Sequence, residues 1–515
     1  MAATRLIDQP ASKAAAGALR RSRGIGPCVL LSAFVSIHCG DEVDGGPASA
    51  RVDAGGLDLS PDGGTSTPDA GSGDAGGMDG GTEFVPPAIG EWVQYEPEGA
   101  TCADGSPYKF FVNFSGVSDA VVFYFEGGGA CWDYRSCTGG ARSARNLDGV
   151  PDGYADALES FEGSTFSADF VFPLLSDDPE VSPMYTWNRV FFPYCTGDTF
   201  AGSRITTYED PGSGPPLELH HTGHQNILAA LDLLQPMFGG TPQMLVSGCS
   251  AGGTGSLVNY HFLRSRLDPD RSILVSDSGP LFPTEPMGGW SGPLHARVQQ
   301  TWGTENLVAG LPGSMEVDAD FGAVSAVLAN TYPEDRLATT VFRMDYDFSL
   351  FSYERFWELL PGGRIELFGD GSGLGMEGID ARTPEGRAAI YDLWWDDLDL
   401  LRAQYDAFDN LSYFMPFYRN TQNSHCLTLP GVEEFSRAEV INLILSDPGR
   451  LAWAGTELDV EGAPFNMRDY LELLLDDRAP LESFFETTPE GPFAPCSPDP
   501  AAFDPEACRA AVEND

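Results

Sequence analysis

One stretch constrains this chain more than any other: Met244-Leu245-Val246-Ser247-Gly248-Cys249-Ser250-Ala251-Gly252-Gly253-Thr254-Gly255-Ser256. The apolar run Met244 to Val246 reads as a short buried strand. It meets Gly248-Cys249-Ser250-Ala251-Gly252, a G-x-S-x-G pattern, and Leu257 to Tyr260 continues as a helix. Strand, sharp turn and helix in that order are what a nucleophilic serine needs to stand exposed at a sheet edge. The flanking glycines let backbones approach closely, and a strained turn needs small neighbours. A helix that starts just after Ser250 also points unpaired amides at any oxyanion formed there.

The rest of the chain supports a large exported domain. Its 515 residues suffice for one large domain or two ordinary ones, and a 42% hydrophobic fraction supports a sizeable core. The formal net charge is −47, and Lys13 and Lys109 are the only lysines. Such a chain is a poor match for a nucleic-acid partner, whose phosphates need cations. Arg20, Arg21 and Arg23 followed by the apolar run Val29 to Ile37 resemble an export signal, too short to span a bilayer. Cys39 closes that run. Residues 1–39 are therefore expected to be an export signal, with Cys39 as a lipidated lipoprotein cysteine and ordinary secretion as the rival. Residues 40–85 are rich in Gly, Asp, Ser, Thr and Pro, bury too little surface to order themselves, and read as a flexible linker. Residues 86–515 are left as the catalytic domain.

Setting aside Cys28 and Cys39, eight cysteines remain, an even number that suits disulfides in an exported protein. Spacing and strand ends suggest Cys131–Cys137, Cys496–Cys508 and Cys195–Cys249, which leaves Cys102–Cys426 by elimination. Without a C-x-x-C pair or clustered histidines, a zinc site is not expected.

Apolar runs alternate with helical patterns, the mark of a mainly parallel α/β sheet. Strands are expected at Ala120–Phe125, Arg189–Phe192, Met244–Val246, Ile273–Val275, Thr339–Met344 and Leu411–Met415, with a helix over His224–Leu234. Several of these end in Gly, Ser, Asp or Cys, and in open α/β sheets ligands gather at such C-terminal ends. The fold class is α/β-hydrolase-like, a mainly parallel sheet with flanking helices. After one early strand comes Gly127-Gly128-Gly129, whose amides, with that of Ala251, are the candidate oxyanion donors: Gly128, Gly129 and Ala251. The order Ser, acid, His expected in this fold favours His425 over His261, which lies on the elbow's own helix, and over His295, which falls in a polar loop. For the acid, Asp347 after the Thr339–Met344 strand is preferred, with Asp345 and Asp277 as alternatives.

At these residues the chain resembles the pectin acetylesterase family, which includes the animal carboxylesterase Notum. The matching pieces are Glu126-Gly127-Gly128-Gly129 with Cys131 and Cys137, Trp187-Asn188-Arg189-Val190 through Pro193-Tyr194-Cys195, and Gly248 to Gly255. They continue with Ser276-Asp277-Ser278-Gly279, Tyr346-Asp347 and Ser424-His425-Cys426. One departure is Ala130 where an aromatic usually follows the glycines, with Trp132 two places on. The resemblance implies an α/β-hydrolase fold without cofactor, and ester hydrolysis through Ser250, His425 and Asp347 by way of an acyl-enzyme. It implies O-acetyl esters of extracellular glycans as substrate, since no extra apolar segment beside the elbow announces a long acyl pocket. The alternatives are a lipid or long-chain acyl esterase and a catalytically silent carbohydrate-binding lipoprotein.

Overall fold

The structure, a computed structural model, describes residues 3–7 and 88–486 apart from 139–143, 145, 160–171, 285–287, 375–377, 420–423 and 432–435. The expected linker, Cys39 and the Cys496–Cys508 pair lie outside the described residues. Alternation of strands and helices produces one ten-stranded sheet, ordered β1-β16-β13-β10-β9-β8-β4-β5-β3-β2. Its strands are β1 (Ala3–Ile7), β2 (Trp92–Tyr95), β3 (Phe110–Asn113), β4 (Val121–Phe125), β5 (Asn188–Phe192), β8 (Met244–Cys249), β9 (Ser272–Asp277), β10 (Arg336–Thr340), β13 (Leu411–Met415) and β16 (Glu482–Glu486). Three two-stranded hairpins stand apart: β6 (Arg204–Tyr208) with β7 (Leu217–His221), β11 (Trp357–Leu360) with β12 (Arg364–Leu367), and β14 (Leu458–Val460) with β15 (Ala463–Phe465).

Every strand from β5 through β4, β8, β9, β10, β13 and β16 to β1 runs parallel to its neighbour. Only β3 is antiparallel, to both β2 and β5. The central strands read VVFYF, MLVSGC, SILVSD and LSYFM, and each is buried along its whole length. Continuous burial, rather than alternation, is what helices on both faces of a parallel sheet demand. The expected strands are all present. The Thr339–Met344 run is a shorter strand that begins earlier, at Arg336, and turns away after Thr340. The tail beyond residue 430 supplies the amphipathic helix Met467–Leu475 and the sheet strand β16.

Parallel register brings the chemistry to one edge. Phe125 of β4 pairs with Gly248 of β8, and Cys249 pairs with Asp277 of β9. Thr340 of β10 pairs with Asp277 on one side and Phe414 of β13 on the other. The glycine turn, the serine, the two aspartates and the histidine therefore all leave the sheet at its C-terminal edge.

Candidate active site

Ser250 follows β8 directly with φ 58° and ψ −121°, a left-handed conformation that a serine adopts only when its surroundings force it. Its amide donates to Asp277 O at 2.9 Å, and its own carbonyl accepts from Thr254 N at 3.1 Å, so both sides of the strained residue are tied down. The helix Ala251–Leu267 begins at the next residue. Sterics then dictate the glycines. A Cβ on Gly252 would stand 1.9 Å from Phe125 O. A Cβ on Gly127 would stand 2.8 Å from Cys249 O and 3.3 Å from the Ser250 Cβ. The glycine turn after β4 thus lies against the serine.

That turn is held from outside. Buried Glu126 accepts the Tyr154 hydroxyl at 2.8 Å and the Tyr194 amide at 2.9 Å. The Glu126 amide goes to Phe192 O and the Cys131 amide to Gly197 O, and no backbone acceptor is recorded for the amides between them among the described residues. Gly129 and Ala251 stand with Ser250 in the wall of one pocket, whereas a Cβ on Gly128 would meet the Tyr194 ring at 2.5 Å.

The acid beside the imidazole is Asp345, which corrects the preference for Asp347. His425 Nδ1 lies 2.9 and 2.8 Å from the two Asp345 carboxylate oxygens. Asp345 is fully buried and caps the helix Tyr346–Tyr353, accepting Phe348 N at 2.9 Å. Asp347 sits in the first turn of that helix, half-buried. The early end of β10 accounts for the difference, since the chain has already turned across the sheet edge when it reaches residue 345. Burial pulls the His425 proton affinity down, but the Asp345 carboxylate outweighs it, with smaller help from Asp347 and Asp277, and the pKa rises to about 9. Burial raises the Asp345 pKa, opposed by His425 and the Phe348 amide.

Asp277, the other alternative acid, has a different task. One of its oxygens accepts Leu427 N at 3.0 Å and Thr340 Oγ1 at 2.9 Å. The other accepts Thr428 N at 2.8 Å and Thr428 Oγ1 at 2.6 Å. It therefore fixes the segment just after His425, while Ser278 Oγ accepts Cys426 N at 2.9 Å.

Among the described residues three disulfides are formed: Cys131–Cys137, Cys102–Cys195 and Cys249–Cys426. The first follows the expectation; the Cys195–Cys249 and Cys102–Cys426 pairings are corrected. Cys195 lies three residues past the end of β5, two strands from β8, and pairs with Cys102, whereas Cys249 meets the His425 loop. The Cys249–Cys426 bond joins the residue before Ser250 to the residue after His425. The His425 imidazole lies within 4.8 Å of these sulfurs, and His221 within 4.8 Å of Cys131 and Cys137. Sulfurs held in disulfides offer no thiolate, so neither cluster is a metal site.

Of the other histidines considered, His261 bonds to Tyr332 OH at 2.6 Å, on the elbow helix. His295 is not in a polar loop: it is buried on the helix Gly292–Trp302.

Ser250 opens into a cleft of about 620 Å³, solvent mouth included. Its walls are mostly apolar, built by Trp132, Leu281, Val298, Trp302, Phe321, Phe348 and neighbours. The sequence reading missed this pocket because its pieces lie far apart along the chain. The available signals were the helical spacing of Leu294, Val298 and Trp302, and the pair Phe348 and Phe351. Trp132, the displaced aromatic, is pinned on the wall by the Arg355 guanidinium 5.3 Å from its ring, and Arg355 is itself paired with Asp133. Trp302 Nε1 donates to Cys131 O at 2.7 Å.

Comparison with known proteins bears on this site. Residues 91–320 match the family model described as Pectinacetylesterase. Pectin acetylesterase 4 of Arabidopsis thaliana is 30% identical over 188 residues, which is 35% of this chain and 41% of that one. Pectin acetylesterase 5 of the same plant is 31% identical over 186 residues, 35% of this chain and 39% of that one. The palmitoleoyl-protein carboxylesterase Notum of Homo sapiens is 26% identical over 174 residues, 33% of this chain and 30% of that one. The chain thus spans about two fifths or less of the length of these curated relatives. The solved structure of the Wnt deacylase Notum from Drosophila is similar at 20% identity and a TM-score of 0.41, covering 63% of this chain and 85% of that one. His425 and Asp345 lie beyond the matched segment, and the Ser250 elbow and the glycine turn lie within it. Residues 91–320, which carry the Ser250 elbow and the glycine turn, are thus similar to the pectin acetylesterases.

Proposed function

We propose that this protein hydrolyses carboxylic esters through Ser250, His425 and Asp345, and that the acyl group it takes is apolar and longer than acetyl. The observation that carries this reading is the position of Ser250 at the mouth of an apolar pocket. Each methylene buried there contributes about 0.8 kcal/mol to binding.

In the proposed mechanism His425 takes the proton from Ser250 as its oxygen attacks the ester carbonyl. Asp345 holds the imidazole tautomer through Nδ1 and stabilises the cation that forms. The amides of Gly128, Gly129 and Ala251 receive the oxyanion, each worth roughly 3 kcal/mol at the transition state. The alcohol leaves with the proton from His425, and water, activated by the same imidazole, releases the acid from the serine.

A second reading is supported by the printed names of the plant relatives: an O-acetylesterase acting on extracellular glycans. Export of the chain, anchored through Cys39 and the linker or secreted, belongs to both readings, and the disulfides of the folded part suit it. A series of methyl esters from acetate to octanoate separates them. Under the first reading kcat/KM climbs from acetate towards octanoate and vanishes in Ser250→Ala. A maximum at acetate with a steep fall for longer chains overturns it in favour of the acetyl reading.

A further inference from the structure

Apart from Ser250, four hydroxyl side chains belong to residues in the wall of the cleft: Thr199, Thr254, Ser291 and Ser352. Three are unavailable to a substrate. Thr254 donates to Gly279 O at 3.1 Å and Ser352 to Phe348 O at 2.9 Å. Ser291 Oγ is enclosed by protein beside the Asp397 carboxylate. Thr199 is different. Its amide donates to the Tyr194 hydroxyl at 2.8 Å, and among the described residues its own hydroxyl makes no hydrogen bond. That oxygen is not sealed off as Ser291 Oγ is. The residue is 9% exposed and lines the cleft, so the surface left to its hydroxyl opens there.

The loop that carries Thr199 is wedged between the two candidate oxyanion donors of the same wall, Gly129 and Ala251. On one side it lies against the glycine turn. The Cys131 amide donates to Gly197 O at 2.9 Å, and the Tyr194 ring covers Gly128. On the other side it lies against the elbow helix, where a Cβ on Gly255 would meet the Phe200 ring at 2.5 Å. Thr199 has φ 51° and Phe200 φ 58°, and positive φ is costly for a β-branched residue. Asp198, wholly buried, imposes this shape. Its carboxylate accepts Thr196 Oγ1 at 2.5 Å, Phe200 N and Gly202 N at 3.1 Å each, and Gly223 N at 2.8 Å. Strained residues persist only where their surroundings over-determine them, and they gather at active sites.

We propose that the Thr199 hydroxyl is a catalytic donor that hydrogen-bonds the oxyanion of the tetrahedral intermediate, alongside the Gly129 and Ala251 amides. This inference rests on Ser250 being the nucleophile. No proton is transferred by Thr199. As Ser250 adds to the carbonyl, the oxygen that becomes negative accepts the threonine O–H, and it returns to a carbonyl oxygen when the alcohol leaves. The lining residues include no Arg or Lys, so neutral donors must carry the stabilisation of that charge. An oxyanion accepts a hydrogen bond more strongly than the ester carbonyl it came from, so the donor acts on kcat more than on KM.

Thr199→Val keeps the shape and branching of the side chain and removes only the hydroxyl. With the full chain and methyl acetate to methyl octanoate as substrates, kcat is expected to fall by about 10²-fold and KM to move by less than about threefold. The factor should be the same for every ester that is turned over, and Thr199→Ser should recover most of it. A trifluoromethyl ketone, which adds to Ser250 as a stable oxyanion, should bind Thr199→Val more weakly by a comparable factor. A kcat within about threefold of the unaltered protein overturns the inference and leaves ester hydrolysis through Ser250 standing. A loss confined to KM, or to one acyl length, overturns it as well and makes Thr199 an acyl-chain contact. Turnover that survives Ser250→Ala removes the hydrolase reading and this inference together. Thr199→Gly, whose backbone takes positive φ without strain, should show the same loss and decides the question if Thr199→Val does not fold.

Discussion

The two halves of the candidate site are built in opposite ways. On the nucleophile side, everything from Met244 to Leu267 is contiguous: a buried strand, one strained serine and a helix. Its glycines are required by contacts with the neighbouring strand end. On the base side, His425 stands on a loop that is irregular on its own, with positive φ at Ser424 and Cys426. Its geometry is imposed by groups 80 to 177 residues away: Asp345 on the ring, Asp277 on the amides after it, and Cys249 on the following sulfur. The first half is specified by local sterics and the second by long-range hydrogen bonds and a covalent tie. The nucleophile side should thus fail abruptly when altered, and the base side by degrees.

The largest effect belongs to the contiguous half. Ser250→Ala removes the attacking oxygen and is expected to cut kcat/KM for any ester by roughly 10³ or more, with the melting temperature little changed. Gly252→Ala should be as damaging for a different reason, since its Cβ would overlap Phe125 O at 1.9 Å. That variant is expected to lose folded protein as well as activity. A well-folded, active Gly252→Ala variant would refute the steric account of the elbow.

On the distributed half, Asp345→Asn ranks next, at roughly 10²–10⁴ in kcat, because the amide no longer fixes the tautomer or stabilises the cation. Asp347→Asn should change kcat by less than about threefold, its charge acting on His425 only as a minor electrostatic contribution. The opposite ranking would return the acid to Asp347. The pH profile sharpens the same point. Activity needs the neutral imidazole, and the carboxylate of Asp345 raises the His425 pKa to about 9. Activity of the free enzyme should therefore rise with pH, with a midpoint displaced to the alkaline side of an ordinary histidine. In Asp345→Asn burial acts with less opposition and the midpoint of the residual activity should move towards lower pH. An unshifted midpoint would remove Asp345 as the partner.

This contrast also explains what could be read in the sequence. The elbow, the glycine turn and strands such as Leu411–Met415 were legible because each is set within a few residues by glycine spacing or an apolar run. The partner of His425 was not. Asp345 and Asp347 are two positions apart, and choosing between them requires knowing that β10 ends at Thr340. The Cys249–Cys426 bond was missed because it depends on where the His425 loop lands, which neither spacing nor strand ends encode. The apolar pocket was missed likewise. Val298, Phe321 and Phe348 belong to separate segments, and each alone looks like ordinary core.

Asp277 offers a gentler break. It does not touch the His425 ring; it holds the backbone after it through Leu427 N, Thr428 N and Thr428 Oγ1. In Asp277→Asn one oxygen becomes an NH₂ facing donors, so part of this anchoring is lost and a buried group is left unpaired. The expected result is a tenfold or so loss in kcat with KM nearly constant, as for a residue that positions the base. A pH midpoint that collapses as in Asp345→Asn would instead give Asp277 a direct part in the proton transfer.

The smallest effect on turnover is expected from the covalent tie. Replacing Cys249 and Cys426 together by Ser leaves Ser250 strained by its own amide and carbonyl bonds, and leaves His425 held by Asp345 and the Asp277 network. Turnover at low temperature should therefore fall only a few-fold. The tie matters more to the unfolded chain, in which it closes a loop spanning a sequence separation of 177. Its loss should lower stability by about 2–4 kcal/mol and bring inactivation to lower temperature. Kinetics at two temperatures separate the cases. A few-fold loss when cold that deepens on warming fits a bond that supports the base loop from outside. A loss at low temperature as large as that of Asp345→Asn would mean that the hydrogen bonds cannot place His425 without the disulfide, and the base side would then be as abruptly specified as the elbow.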